Sequence, residues 1–341
     1  MTLLLPDRYV WDFWFAPRDH SAAEPWHAFF LQAPRDLPDP NMRHGMATAG
    51  HAVSPDLVHW QLLPDALTPG APGTWDDQAI WTGSIVERAG LYYFFYTGLS
   101  RGESGHVQRI GIATSPDLVH WTRHPGNPLL EADPRWYEKL GSDCWHEEAC
   151  RDPFVFYAPH DDLYYMFYCA RANSGPCGRR GVVGCARSRN LLDWEPLPPV
   201  AEPALFRHLE VPQVVALAGR YYLLFCTAPV VEAQPERAAG VPSWTGTHYL
   251  VADRPAGPYT LAAGEPLLAD AAGTYYAGKL IECTPGEYVF MAWRQWDERG
   301  RFLGGLSNPA PVKVLDDGRL QIDAGRLWPR RIAGVNDCRI E

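Results

Sequence analysis

The sequence predicts an all-β chain: a five-bladed β-propeller with four-stranded blades around a central funnel, spanning residues 1–341 as one domain. Three observations carry this. The heptapeptide SPDLVHW occurs twice unchanged, at Ser54 to Trp60 and Ser115 to Trp121, and a looser copy, SRNLLDW, runs from Ser188 to Trp194. Five aromatic-rich segments recur along the chain without helical periodicity. Neither a glycine-rich phosphate loop nor a Pro/Gly/Ser linker divides the chain in the way a two-domain α/β protein requires.

The elements follow in order. The first strands are YVWDFWF, WTGSIVE, RDPFVF, EVPQVV and GKLIEC. Each leads into a longer second strand: WHAFFLQA from Trp26, YYFFYTGL from Tyr92, YYMFYCAR from Tyr164, YYLLFCTA from Tyr221 and YVFMAWRQ from Tyr288. Turns such as Ala89-Gly90, Ala218-Gly219 and Pro285-Gly286 join first to second. GHAV, GIAT and GCAR are third strands, each ending in a copy of the heptapeptide, whose Trp60 and Trp121 belong to the outer blade core. THYLVA from Thr247 and FLGGLS from Phe302 take that place in the last two blades, and the hairpin VKVLDDGRLQI closes the array through Asp317-Gly318. Short blades repeated radially leave only protected edges, which favours a propeller over a sandwich or barrel.

Composition narrows the function. The chain is 46% hydrophobic, 13% aromatic and 21% charged, an ordinary globular balance with aromatic residues to spare for a carbohydrate-facing surface. Forty acidic against 30 basic side chains give a net charge of −10, which repels nucleic acid and anionic membranes and suits a small neutral substrate. MTLLLPDRYVWDF lacks the basic n-region of a secretory signal, predicting a cytoplasmic location. The eight cysteines show neither CxxC pairs nor zinc-site spacing and are expected as reduced thiols. The sequence implies no metal or organic cofactor and leaves the oligomeric state open.

First strands line the channel of a propeller, so residues at matching positions converge. Asp12, Asp152 and Glu210 fall at corresponding places near the heads of the first, third and fourth first strands. Three carboxylates in one funnel repel, so at least one should hold its proton at neutral pH beside a base or nucleophile that does not. Glycoside cleavage needs that division of labour. His146-Glu147-Glu148 suggests a metal site, but adjacent strand residues face opposite ways, and a loop at the funnel rim fits better. His44 and His51 fit hydrogen-bonded structural histidines.

With VWDFW around Asp12, GHAVSPDLVHW from Gly50, WTGS from Trp81, RDP from Arg151 and EVP from Glu210 in this order, the sequence resembles glycoside hydrolase families 32 and 68, the β-fructofuranosidases and levansucrases. The resemblance covers nearly the whole chain. It implies a single catalytic propeller that releases terminal β-fructofuranosyl residues from sucrose or short fructans by a retaining double displacement. In it Asp12 is the nucleophile, Asp152 the transition-state stabiliser and Glu210 the acid, then base. It further implies substrate-binding roles for Gln32, Trp81, Thr82, Arg151, Tyr276 and Lys279, with Ser84 in the same segment as Trp81; on physical grounds the neighbouring Arg151 should keep Asp152 ionised. The chain departs from family 32 in lacking the Asn-Asp-Pro-Asn-Gly run, in EVP where a cysteine usually follows the acid, and in the expected absence of a C-terminal β-sandwich. An inverting arabinofuranosidase or xylosidase of the family 43 type, a glycoside phosphorylase and a non-catalytic sugar-binding propeller remain alternatives.

Overall fold

Runs of aromatic and β-branched residues, which fit a pleated and half-buried surface, form five antiparallel sheets in the computed structural model, which describes residues 3–20, 24–228, 244–262 and 266–328. Blade 1 is β1 (Arg8–Phe15), β2 (Trp26–Pro34), β3 (Thr48–Ser54) and β4 (Gln61–Leu67). Blade 2 is β5 (Ala79–Arg88), β6 (Leu91–Leu99), β7 (Gln108–Ser115) and β8 (Thr122–Arg123); blade 3 is β9 (Cys150–Ala158), β10 (Leu163–Arg171), β11 (Gly181–Ser188) and β12 (Glu195–Ala201). Blade 4 is β13 (Glu210–Leu217), β14 (Arg220–Thr227), β15 (Thr245–Ala252) and β16 (Thr260–Leu261), with β17 (Leu268–Asp270) paired to β15 beside β16. Blade 5 is β18 (Tyr275–Thr284), β19 (Glu287–Arg294), β20 (Ala310–Val314) and β21 (Leu320–Ile322). The first strands β1, β5, β9, β13 and β18 touch in sequence and β18 touches β1, closing the ring.

The repeated heptapeptide is a turn with one geometry. Leu57, Leu118 and Leu191 occupy the same place in the three copies, and each has a left-handed backbone, φ 62°, 65° and 71°. A leucine is costly there. Asp56 and Asp117 offset the cost by accepting two backbone N–H bonds each at 2.8–2.9 Å, from Val58 and His59 and from Val119 and His120, and Asn190 does the same for Leu192 and Asp193. The leucines are buried, and the Trp121 and Trp194 indoles donate to the Leu118 and Leu191 carbonyls. Trp60 and Trp121 are partly buried against the core, where Trp121 and Trp14 meet Phe94 between blades 1 and 2.

Two expectations need correction. FLGGLS is not the third strand of blade 5: Phe302 and Leu306 make only isolated bridges, and β20 takes the third place. Gly304, with φ 60°, departs from the pleat, while the Phe302 ring packs on Tyr9 and Trp293 at 5.0 and 5.8 Å. Nor are all the cysteines thiols, because Cys144 and Cys177 form a disulfide between the loop before β9 and the β10–β11 connection. The fold brings their Cα atoms within 5.3 Å across 33 residues of sequence, a proximity that spacing alone does not reveal. Cys150, Cys169, Cys185 and Cys226 are buried thiols, Cys283 is a half-buried one, and Cys338 lies outside the described residues. Among the described residues no helix is long and apolar enough to cross a membrane.

Candidate active site

Each first strand is irregular at the same level of the ring. Its register against the second strand shifts between Trp11 and Phe13, between Trp81 and Gly83, between Arg151 and Phe154, between Glu210 and Gln213, and between Tyr276 and Lys279. Extra residues at a bulge leave the alternation of the pleat and re-aim their side chains. In blades 3, 4 and 5 the first of them, Asp152, Val211 and Ala277, is left-handed, with φ 59°, 51° and 48°. In blade 2 a Cβ on Gly83 would lie 2.1 Å from the Phe95 carbonyl oxygen, so the WTGS segment requires glycine beside Thr82.

The common level sharpens the positional argument. Asp12, Thr82 and Asp152 share the first bulge position, whereas Glu210 stands one residue earlier, level with Trp11, Trp81, Arg151 and Tyr276. The three acids therefore come from two adjacent levels. Their charges still act on one another: Glu210 raises the pKa of Asp12, and both raise that of Asp152.

Asp12 is half-buried, with one donor on each oxygen. Thr82 Oγ1 donates to Oδ2 at 2.8 Å and Trp293 Nε1 to Oδ1 at 2.9 Å. Its pKa is pushed up, first by the crowding walls of the funnel and then by Glu210, against the two hydrogen bonds that favour the ionised form. This is a carboxylate oriented by two donors and only partly exposed.

Asp152 is 5% exposed and receives the Val211 N–H on Oδ2 at 3.0 Å; its own N–H donates to Thr97 Oγ1 at 2.9 Å. Contrary to the expectation that Arg151 keeps it ionised, desolvation outweighs that cation and lifts its pKa to about 7. The reason is geometric. Only Arg151 Nε faces Asp152, at 3.7 Å, while Nη1 donates to Gln108 Oε1 and Glu147 Oε1, both at 3.0 Å, and Nη2 to Glu210 Oε1 at 2.7 Å.

Glu210 keeps 28% of its side chain exposed. Arg151 holds Oε1, and the Tyr276 hydroxyl donates to Oε2. Lys279 is buried behind the bulge of β13, where Nζ donates to the Val211 and Pro212 carbonyls at 3.2 and 3.4 Å. Desolvation lowers its pKa to about 8, against the pull of Cys226, Asp12 and Asp152.

The remaining expected binders are less central. Gln32 donates to Asp65 Oδ1 at 2.7 Å on β4, and Trp81 Nε1 to the His44 carbonyl at 2.7 Å, which ties β5 to the loop after β2. Ser84 Oγ accepts from the Val155 N–H at 3.1 Å and so joins blades 2 and 3. His51 is structural: it stacks on Phe29 at 4.1 Å and pairs with His27 at 3.0 Å. His44 is exposed on one side and set edge-on to Trp11 and Trp81, where desolvation and then Arg43 and Arg151 depress its pKa. Glu147 and Glu148 diverge, the first to Arg151 and the second to Lys139 at 2.5 Å.

Sequence reasoning missed Trp293, Thr97 and Gln108. Trp293 sits in the second-strand segment YVFMAWRQ, where an indole reads as core. Nothing in the sequence places it beside Asp12 until the ring closes. Arg43 is likewise buried at the first blade, over Trp11 and Phe302.

Residues 21–304 match the model of the glycosyl hydrolases family 32 N-terminal domain. An acid beta-fructofuranosidase of Phaseolus vulgaris is 40% identical over 114 residues, 32% of this chain and 16% of that protein. A sucrose-6-phosphate hydrolase of Zymomonas mobilis is 26% identical over 289 residues, 79% of this chain and 52% of that protein. The chain thus matches about half or less of the length of these curated relatives. Among solved structures, the inulosucrase from Halalkalicoccus jeotgali bound to kestose superimposes with TM-score 0.74 at 22% identity, covering 99% of this chain and 94% of that one. The GH32 beta-fructofuranosidase of Bombyx mori gives 0.69 at 20% identity, covering 94% and 64%; both share the fold. Since that family model covers residues 21–304, most of the sequence, the chain belongs to glycosyl hydrolase family 32.

Proposed function

We propose that this protein hydrolyses terminal β-fructofuranosyl residues of sucrose or short fructans, with retention at the anomeric carbon. The arrangement of Asp12 and Glu210 carries the reading: one carboxylate held by Thr82 and Trp293, the other by Arg151 and Tyr276, both open to the funnel. Asp12 attacks the anomeric carbon as Glu210 gives its proton to the departing glycosidic oxygen, forming a fructosyl ester on Asp12. Water, deprotonated by Glu210, then displaces Asp12 and returns the proton to Glu210. Asp152 binds sugar hydroxyls from below. The charge developing at the anomeric carbon favours an ionised carboxylate there, so Asp152, whose pKa burial raises to about 7, serves that task best above neutrality or once the developing positive charge draws its proton off.

The names of the relatives support the fructosyl specificity, and family membership argues against an arabinofuranosidase. The phosphorylase alternative loses its cations, because Arg151 is held by Gln108, Glu147 and Glu210 and Lys279 by two carbonyls. The Cys144–Cys177 bridge, whose Cys177 end is exposed, favours an oxidising compartment over the expected cytoplasm. The deciding experiment incubates wild type, Glu210→Ala and Asp12→Asn with sucrose and short fructans, with methanol as a competing acceptor. Fructose release and methyl β-fructofuranoside from wild type, with kcat lower by roughly 10²–10⁴-fold in Glu210→Ala and still lower in Asp12→Asn, support the reading. Undiminished activity in both variants refutes the site, and the methyl α-fructofuranoside refutes retention.

A further inference from the structure

Glu147 lies outside the acid trio, yet the segment that carries it is secured on every side. Three residues earlier Cys144 is bonded to Cys177. The guanidiniums of Arg171 and Arg207 pack on the Trp145 ring, 4.9 and 4.7 Å from its centroid. One residue later Glu148 accepts from Lys139 Nζ, donates its backbone N–H to the His106 carbonyl at 2.7 Å, and accepts the Gln108 N–H at 3.1 Å. So fastened, the segment presents Glu147 Oε1 to Arg151 Nη1 at 3.0 Å, while Nη2 of the same guanidinium holds Glu210 Oε1 at 2.7 Å. Arg151 is 6% exposed, so the two carboxylates share one cation with little solvent between them.

We propose that Glu147 is a positioning residue of the site, which acts through Arg151 to orient Glu210 and to weaken the cationic field upon it. This deepens the fructosidase reading and rests on Glu210 being its acid. Without Glu147, a buried guanidinium with only neutral Gln108 on Nη1 would act on Glu210 at full strength and draw off the proton that the leaving group needs. With Glu147, Arg151 keeps its fork and part of its charge is answered on Nη1. The charge of Glu147 is supported in place: burial opposes it most strongly, but Arg151, Trp145 and His146 together outweigh burial and its pKa lies below the ordinary value.

Other groups facing the pair are in place in wild type and variant alike. Arg151 also meets Asp152 on its own strand, Cys169 from β10, and His208 and His44 from the neighbouring loops. Glu210 also faces Asp12 from β1 and Tyr276 from β18. Since these stay constant, the change at position 147 can be read on its own.

The test measures kcat and kcat/KM for sucrose hydrolysis against pH in wild type, Glu147→Gln and Glu147→Asp, with a melting curve of each. Glutamine keeps the acceptor for Arg151 and removes only the charge. Its alkaline limb should move to lower pH by about 0.5–1 unit, with kcat near pH 7 lower by several-fold and KM little changed. Aspartate keeps the charge, so its limb should stay with wild type. A glutamine profile superimposable on wild type, or an aspartate limb displaced as far as that of glutamine, overturns the proposal while leaving the fructosidase reading intact. A folded wild type inert toward every β-fructofuranoside overturns both.

Discussion

The Trp293 indole N–H reaches Asp12 Oδ1 at 2.9 Å, joining residues 281 positions apart in sequence across the closure of blade 5 on blade 1. The contact that orients the proposed nucleophile therefore exists only when the ring is complete. Beside it Arg35 donates to the Leu5 and Gly304 carbonyls, and Phe302 packs on Tyr9, so the seam is fixed at several points. Substrate chemistry and ring integrity are coupled here.

Trp293→Phe tests this. Phenylalanine retains most of the packing but removes a donor to the ionised form of Asp12, whose pKa burial already raises. The acidic limb of the kcat/KM profile should move to higher pH, with a rate loss of roughly 10-fold and a stability loss of about 1–2 kcal/mol. A pH–rate series with a denaturant titration checks it. An unmoved acidic limb speaks against Asp12 as the group that must ionise.

The Asp152 carboxyl makes stability depend on pH in a direction opposite to most paired aspartates. Its folded pKa is raised from 3.8 to about 7, so between these values the folded state holds a proton that the unfolded chain has lost. Stability from this group is thus fully present below about pH 4, falls as pH rises, and levels off above pH 7, a loss on the order of 2–4 kcal/mol. Asp152→Asn should abolish that slope and exceed wild type in stability at pH 8 while losing activity. Unfolding midpoints for both proteins from pH 4 to 8 decide it, and parallel curves would contradict it.

The Cys144–Cys177 bridge closes a 33-residue separation, for which chain entropy gives about 3–4 kcal/mol. Cys144→Ser should lower the melting temperature and, because the same loop carries Glu147, reduce kcat more than it raises KM. Thiol titration of the denatured, unreduced protein should find two fewer thiols than the eight cysteines of the sequence. A full complement of thiols would contradict the bridge.

How much of this was legible beforehand follows from the range of each signal. The heptapeptide copies carry their own turn chemistry in Ser, Asp and Leu, so blade number and the aromatic second strands could be read locally. Asp12, Asp152 and Glu210 stood out as acids near strand heads. The bulges that place Glu210 level with Arg151, one step from the aspartates, were not visible, because a bulge is a relation between two strands. Burial was equally hidden: Arg151 beside Asp152 in sequence suggested an ionised pair, but the guanidinium points mainly to Glu210, Glu147 and Gln108. FLGGLS reads as a strand by composition and fails at Gly304. Cys144 with Cys177 and Trp293 with Asp12 are long-range pairs that only the closed fold reveals.

The central claim is that Asp12 forms the bond to the sugar while Glu210 handles the proton. Its most direct test incubates Glu210→Gln with a β-fructofuranosyl fluoride, whose leaving group needs no acid, and follows the intact protein and its peptides by mass spectrometry. The account predicts one fructosyl residue accumulating on the peptide that contains Asp12, absent in the Asp12→Asn, Glu210→Gln double variant. Turnover of the fluoride by that double variant, or a label on any other residue, would contradict it.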